Sequence, residues 1–190
     1  MTLIDTPILN FLMGLTGKYL LVDWLFIFLA EALIYIIIIV SLIYLARIKE
    51  WKKRAEIFLL GALAVILSRG IITPILEHLI NSPRPFVVTG IEPLIQHAAT
   101  SSFPSGHIAF ILPIAITLWY INRKAGWWAY AGVFLIGVSR VAIGVHWPTD
   151  ILGGILVGII SFFVAQRLLK GVLEKPEKVH QKTKSKLAKA

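Results

Sequence analysis

The chain has 190 residues, of which 57% are hydrophobic and only 15% charged, and its mean hydropathy is +0.81. Soluble domains are typically about 45–50% apolar and about 25% charged. The small charged fraction argues against a soluble enzyme, a disordered protein and a nucleic-acid-binding module, and it indicates a one-domain integral membrane protein. The sequence contains no cysteine, so disulfides and thiolate chemistry are excluded.

Apolar stretches predict an all-α membrane helix bundle with about five transmembrane helices. The stretches lie at residues 24–45, 57–80, 107–121, 127–145 and 151–169. A helix needs about 20 residues to cross about 30 Å of hydrocarbon, so we expect the short third stretch to lie partly under protein. Residues 4–15 are apolar over about half a span, and they predict an N-terminal interfacial helix.

The net charge of +9 comes mainly from basic residues that follow the first, third and fifth stretches. Positive charge accumulates on the cytoplasmic side of membrane proteins. We therefore expect the N-terminus outside the cell and the C-terminus in the cytoplasm, and the charge does not indicate a nucleic-acid partner. Residues 1–170 are predicted to form the membrane-embedded domain, and residues 171–190 a basic, disordered cytoplasmic tail.

Two connections on the predicted outer face, residues 81–104 and 146–150, carry or adjoin most of the unusual polar residues. These residues are Arg84, Ser105, His107, Arg140, His146 and Asp150. An ionisable side chain inside a bilayer costs about 2.5–3.5 kcal/mol even on a lenient scale, so each one needs a partner or a function.

The spacing of His146 and Asp150 suits catalysis at a helix start, which Pro148 favours. A carboxylate bonded to one imidazole nitrogen makes the other nitrogen a better base or nucleophile. Arg84 lies between two prolines that stiffen the backbone, and its guanidinium favours bidentate contact with phosphate oxygens.

Ser105 and Gly106 precede the third apolar stretch, where a helix N-terminus offers free backbone N–H groups to an anion. Together, these groups indicate phosphoryl transfer without a metal: His146 attacks phosphorus, His107 protonates the leaving oxygen, and water then releases phosphate.

Each residue also has a structural alternative when it is considered alone. Ser105 is then a helix cap, Asp150 a charge at a helix terminus, and His146 a structural residue at the membrane interface. Arg140 can instead pair with Glu31 or Glu77 and stabilise helix packing. The joint occurrence of these residues on one predicted face favours the functional interpretation.

The arrangement resembles the type 2 phosphatidic acid phosphatase superfamily of membrane lipid phosphatases over roughly residues 55–170. That family has three motifs, Lys-x6-Arg-Pro, Pro-Ser-Gly-His and Ser-Arg-x5-His-x3-Asp. The second motif is complete at residues 104–107, and the third is complete at Ser139, Arg140, His146 and Asp150. The first motif keeps Arg84 and Pro85, but Glu77 stands where the family has lysine.

The resemblance implies that His146 is the nucleophile, that Asp150 orients it, and that His107 is the general acid. It further implies phosphate binding by Arg84, Ser105, Gly106 and Arg140, with no metal or other cofactor. Members of the family act on undecaprenyl diphosphate, phosphatidylglycerol phosphate, phosphatidic acid and lipid A phosphates. The small size and short outer loops are similar to those of bacterial undecaprenyl-diphosphate phosphatases, although many of those have Asp where Gly106 stands.

The resemblance therefore predicts a phosphohistidine enzyme of the cell membrane with its site on the outer face. Hydrolysis of phosphatidylglycerophosphate or phosphatidic acid is the alternative within the same class. A non-enzymatic lipid-binding or transport protein is the alternative of another class, but the absence of inverted repeats speaks against transport by alternating access.

Glu77 is the one departure from the family pattern, because an acid beside a phosphate repels it. Our preferred interpretation pairs Glu77 with Arg69. Otherwise Arg69 or His78 supplies the missing cation, or the site is weakened or prefers a different headgroup.

Overall fold

The computed structural model describes residues 5–187, with side chains described through residue 170. The side chains of residues 171–190 lie outside the described part of the structure. The disorder expected for this tail therefore stays a prediction. Within residues 5–187 every regular element is a helix, as the sequence predicts.

The helices are labelled α1 to α7 in chain order. They are α1 (Asp5–Met13), α2 (Leu20–Ala46), α3 (51–80), α4 (Pro85–Thr89), α5 (Gly106–Ile121), α6 (Arg123–Ala142) and α7 (Pro148–Leu187). Two of the long helices contain π-helical segments, Phe28–Ala32 in α2 and Ile66–Ile72 in α3. Such segments insert an extra residue into a turn and are frequent at functional sites.

Among the described residues, three segments are long and apolar enough to cross a membrane. They are Leu20–Ala46, Trp51–Thr89 and Pro148–Lys170. Helix α5 is apolar but has only 16 residues, and α6 has 20. An all-helical membrane architecture is thus confirmed, whereas the count of five crossings stays a prediction.

Helix α5 lies at the centre of the bundle, between α2, α3, α6 and α7. Its side chains Ile108, Ile111 and Leu118 are almost completely buried. Because protein covers α5 on most sides, this helix needs less length than one that faces lipid, which agrees with the expectation for the short third stretch.

Glycines let α7 approach α5 closely. A Cβ atom at Gly154 would lie 2.7 Å from the carbonyl oxygen of Ser105 and 2.9 Å from Cβ of Ile108, and one at Gly158 would lie 3.1 Å from Cβ of Leu112. The Gly-x-x-x-Gly pattern of α7 therefore serves packing inside the bundle. This contact places the start of α5 against the start of α7, where the polar residues collect.

Helix α1 also contacts the beginning of α7. Leu9 is fully buried and packs with Val141 and Trp147. The Asp5 carboxylate accepts hydrogen bonds from the backbone N–H and the hydroxyl group of Thr149, at 3.1 and 3.0 Å. One face of α1 is thus packed on the protein, and its placement at the membrane interface stays a prediction.

Candidate active site

An open cavity of about 530 Å³ lies where α2, α3, α5 and the two connections meet. The lining includes Gly106 and the polar residues Glu31, Tyr35, Arg69, Glu77, Arg84, His97, Thr100, His107 and His146. Sequence segments that are more than 100 residues apart therefore share one polar cavity, within a bundle that is otherwise strongly apolar.

His146 is held through one nitrogen of its ring. Nδ1 lies 3.0 Å from the carbonyl oxygen of Ser102 and 3.3 Å from Oδ2 of Asp150. Both partners are acceptors, so Nδ1 carries the proton and Nε2 has a free lone pair. Within the described part of the chain Nε2 forms no hydrogen bond, and His146 lines the cavity although it is only 2% exposed.

Asp150 is positioned by the start of α7. Pro148 opens the helix, and Asp150 is the third residue of the first turn. Its Oδ2 accepts a hydrogen bond of 2.8 Å from the backbone N–H of Trp147, while the same oxygen contacts His146. This is half of a capping box, so the local helix-start geometry also aims the carboxylate at the imidazole.

Burial lowers the pKa of His146 well below its usual value of 6.5, and the nearby Arg140 and Arg84 guanidinium groups lower it further. Both effects act against the protonated ring, because removal from water and repulsion by neighbouring cations disfavour a positive charge. His146 therefore stays neutral, which is the form that a nucleophile requires.

Arg84 joins the two connections. Its Nη1 donates a hydrogen bond of 2.9 Å to the carbonyl oxygen of Val145, and its Nη2 donates one of 3.1 Å to the carbonyl oxygen of Ser101. Trp147 also links the two connections, because its Nε1 donates a hydrogen bond of 2.9 Å to the carbonyl oxygen of Pro83. Nε of Arg84 is buried and has no partner among the described residues, so the guanidinium keeps hydrogen-bonding capacity while its orientation is set.

Ser105 occupies the N-cap position of α5, yet its side chain makes no capping hydrogen bond. The residue is fully buried, and Oγ has no hydrogen-bond partner among the described residues. Buried polar groups are almost always hydrogen-bonded, so the helix-cap alternative leaves this hydroxyl unexplained, and its role in phosphate binding stays a prediction. The backbone N–H of Ser105 donates a hydrogen bond of 3.0 Å to the carbonyl oxygen of Asp150. This bond joins the start of α5 to the start of α7.

Arg140 is fully buried and forms an ion pair with Glu31. Its Nη1 also lies 3.4 Å from Nε2 of His107. Of the two acids considered from the sequence, Glu31 is therefore the partner and Glu77 is not. The pair with Glu31 is the structural alternative that the sequence offered for Arg140, and its role in phosphate binding stays a prediction. Its two neighbours, Glu31 and His107, both line the cavity.

The predicted pair between Arg69 and Glu77 is wrong. Both residues line the cavity, but the ion pairs in the described part of the chain are Arg140–Glu31 and His146–Asp150. Eight residues of helix rise about 12 Å, which is too far for a direct contact along the axis. Arg69 lies against Gly106 instead, because a Cβ atom there would be 2.9 Å from its Nε.

The π-helical segment around Arg69 explains why both residues reach the same cavity. In a regular α-helix, residues eight positions apart differ by about 80° in direction. The extra residue in the turn between 66 and 72 largely removes this difference. His78 is exposed and does not line the cavity, so of the two candidate cations only Arg69 is placed there.

Sequence reasoning missed two contributors to the site. The ring of His97 lies edge-on to that of His146, with 6.5 Å between centroids, and its Nδ1 is 3.1 Å from the carbonyl oxygen of Ala98. The other is the Ser102 carbonyl that holds His146. The position of His97 in a predicted outer connection was an available signal, whereas a backbone carbonyl leaves none in the sequence.

Comparison with known proteins agrees with the motifs. The sequence model of the PAP2 superfamily matches residues 58–172. The undecaprenyl-diphosphatase BcrC of Bacillus subtilis is 32% identical over 185 residues, which cover 93% of this chain and 91% of the relative. Phosphatidylglycerophosphatase B of the same organism is 35% identical over 124 residues, covering 59% and 56%.

A solved structure shares the fold. The crystal structure of LpxE from Aquifex aeolicus superposes with a TM-score of 0.71 at 24% sequence identity, and the match covers 87% of this chain and 96% of that one. The helix arrangement around the cavity is therefore an established membrane-protein fold.

We expect the pKa of the His146 ring to lie well below 6.5, because burial and two guanidinium groups both disfavour the imidazolium. Nitrogen-15 NMR of histidine-labelled protein in detergent measures this titration, and the signal is assigned by its loss in His146→Gln. Protonation of the ring at or above pH 6.5 would contradict the arrangement.

Proposed function

This chain belongs to the PAP2 superfamily of membrane lipid phosphatases, and from that premise we propose that it hydrolyses undecaprenyl diphosphate to undecaprenyl phosphate and phosphate. The observation that carries the proposal is the free Nε2 of His146, aimed by Asp150 and Ser102 within a cavity that also holds Arg84 and His107. The similarity to a relative named undecaprenyl-diphosphatase favours the diphosphate substrate.

The proposed reaction begins with attack of His146 Nε2 on the terminal phosphorus. A phosphorus–nitrogen bond forms while the bond to the bridging oxygen breaks, and the lipid monophosphate leaves with a proton from His107. Water then attacks the phosphohistidine, His107 accepts its proton, and inorganic phosphate is released. Arg84, Arg140, the Ser105 hydroxyl and the Gly106 backbone N–H stabilise the charge on the non-bridging oxygens.

We propose that neither step needs a metal or another cofactor. Guanidinium groups and N–H donors can neutralise phosphate charge without a bound cation. The cavity carries the guanidinium groups of Arg69 and Arg84 in its lining, and these can supply the positive charge that a metal ion would otherwise supply. Activity should therefore persist in a chelator.

In purified protein with EDTA present, His146→Gln should reduce phosphate release from undecaprenyl diphosphate to background, because no other group replaces the nucleophile. The wild-type protein should also yield an acid-labile phosphohistidine after brief incubation with substrate labelled in the terminal phosphate. A phosphate-release assay and acid-stability analysis measure the two outcomes.

His78→Gln is the matched control, since His78 is exposed and outside the cavity, and it should retain normal activity. Normal turnover by His146→Gln would remove the proposed nucleophile. A substrate panel with phosphatidylglycerophosphate and phosphatidic acid decides the headgroup, and faster hydrolysis of phosphatidylglycerophosphate would favour the second candidate, to which the similarity with phosphatidylglycerophosphatase B points.

Arg69 supplies, in this proposal, the cation that the family pattern places at position 77. Its guanidinium lies over Gly106, next to Ser105, and no hydrogen bond or ion pair occupies it within the described residues. The missing Cβ of Gly106 creates the room for this approach. A lysine at position 77 is therefore unnecessary, because a cation from the preceding turns of the same helix reaches the phosphate.

Arg69→Gln should raise the KM for substrate by about 10- to 100-fold, since a hydrogen bond to a charged group contributes about 1.5–3 kcal/mol. Steady-state kinetics provide the measurement. Arg54→Gln is the control on the same helix, because Arg54 lies over the ring of Trp51, outside the cavity. If both variants have the same KM as the wild type, Arg69 does not bind phosphate.

The topology belongs to the same proposal: five crossings, α1 on the membrane surface, a cytoplasmic C-terminus and the cavity at the outer face of the cell membrane. Basic residues at 47–54 and at 123–124 lie at the helix ends opposite the cavity, and such charge marks the cytoplasmic side. A site on the outer face suits recycling of a lipid carrier used in wall synthesis.

Thr89→Cys should react with a membrane-impermeant maleimide in intact cells, because Thr89 is exposed at the end of α4 near the cavity. The natural sequence has no cysteine, so the label reports a single position. Lys49→Cys, at the opposite helix ends, should react only after permeabilisation. The reverse pattern would place the cavity on the cytoplasmic side.

A further inference from the structure

Glu31 stands between Arg140 and the cavity. The Arg140 side chain has 0% exposure and does not line the cavity, whereas the Glu31 side chain has 44% exposure and does. The proposed phosphate-binding guanidinium is thus covered by a carboxylate in the ligand-free protein. A phosphate oxygen can contact Arg140 only if this carboxylate moves.

The position of Glu31 depends on a local feature of α2. It lies in the π-helical segment Phe28–Ala32, within a helix whose other residues are almost entirely apolar. An acid in a membrane-spanning helix is costly unless it is paired. The wider turn and the ion pair together account for a carboxylate at this place, and both bring it to the cavity wall.

The contact between the two residues uses little of the capacity of Arg140. Within the residues that the structure describes, only Nη1 is engaged, by Glu31 and by Nε2 of His107, while Nε and Nη2 are buried without partners. A bidentate anion would satisfy more of these donors than the present contact does. The carboxylate is therefore a displaceable occupant of Arg140.

The same contact affects the general acid. Arg140 is an obligate donor, so Nε2 of His107 accepts at 3.4 Å and carries no proton there. His107 therefore becomes able to donate a proton from Nε2 only when Arg140 turns to another anion. Displacement of Glu31 and readiness for acid catalysis are coupled through one guanidinium group.

We propose that Glu31 is a specificity residue: it lets a terminal phosphate reach Arg140 and excludes phosphodiester headgroups. This proposal rests on the proposed phosphatase function. A phosphodiester carries one negative charge, no more than the carboxylate it must displace. A terminal phosphate carries about −1.5 to −2 charges at pH 7, and its second charge interacts with Arg84 and Arg69. Phosphodiester lipids surround the site in any phospholipid membrane, so this discrimination keeps the cavity free for substrate.

The test compares the binding of two non-substrates, inorganic phosphate and short-chain phosphatidylglycerol, by calorimetry of purified protein in detergent. Glu31→Gln should tighten phosphatidylglycerol binding about tenfold and change phosphate binding by a smaller factor. Glu92→Gln is the control, because Glu92 is exposed and is not among the residues that line this cavity, and it should leave the ratio of the two affinities unchanged.

An unchanged ratio in Glu31→Gln would overturn the proposal, and so would an equal change in Glu92→Gln. If Glu31→Gln does not fold, Glu31→Asp decides, since its shorter side chain keeps the charge but holds Arg140 less well. That variant should bind phosphatidylglycerol more tightly than the wild type, and wild-type selectivity would contradict the proposal. Neither ligand turns over, so failure here is distinguishable from failure of the phosphatase assay.

Discussion

The site depends on hydrogen bonds that join two chain connections at one end of an apolar bundle. Side chains from one connection reach backbone carbonyls of the other: Arg84 to Val145, Trp147 to Pro83, and His146 to Ser102. Apolar side chains gain little from meeting each other rather than lipid, so small-residue packing and polar contacts must specify helix association in a membrane. These bonds therefore orient the reactive imidazole while they hold the bundle closed.

In the proposed function, the same contacts preorganise an anion site. The hydroxyl of Ser105, Nε of Arg84, and both Nε and Nη2 of Arg140 are buried and have no hydrogen-bond partner in the described part of the chain. Four unsatisfied polar atoms close to one cavity are costly in the ligand-free protein. In that proposal, the cost is recovered when a phosphate group accepts hydrogen bonds from the unpartnered donors.

Acidic residues balance the positive charge of the cavity. Glu31 and Glu77 face Arg69 and Arg84 across the lining, and Glu31 is bound to Arg140. Guanidinium groups without counter-charges would repel one another in a poorly hydrated site. The two π-helical segments supply this arrangement, because each brings one charged residue, Glu31 or Arg69, from a mostly apolar helix to the cavity.

The sequence by itself determined the helical membrane class, the family, and the ionisable residues that meet at the cavity, such as Arg84 and His146. It did so because ionisable groups are so costly in a bilayer that those which remain mark function. Only the tertiary structure decided that Glu31 pairs with Arg140, that Arg69 lies over Gly106, and that Ser102 holds His146. A backbone carbonyl has no side-chain identity, and a π-helical turn changes which residues share a face without changing the apolar pattern.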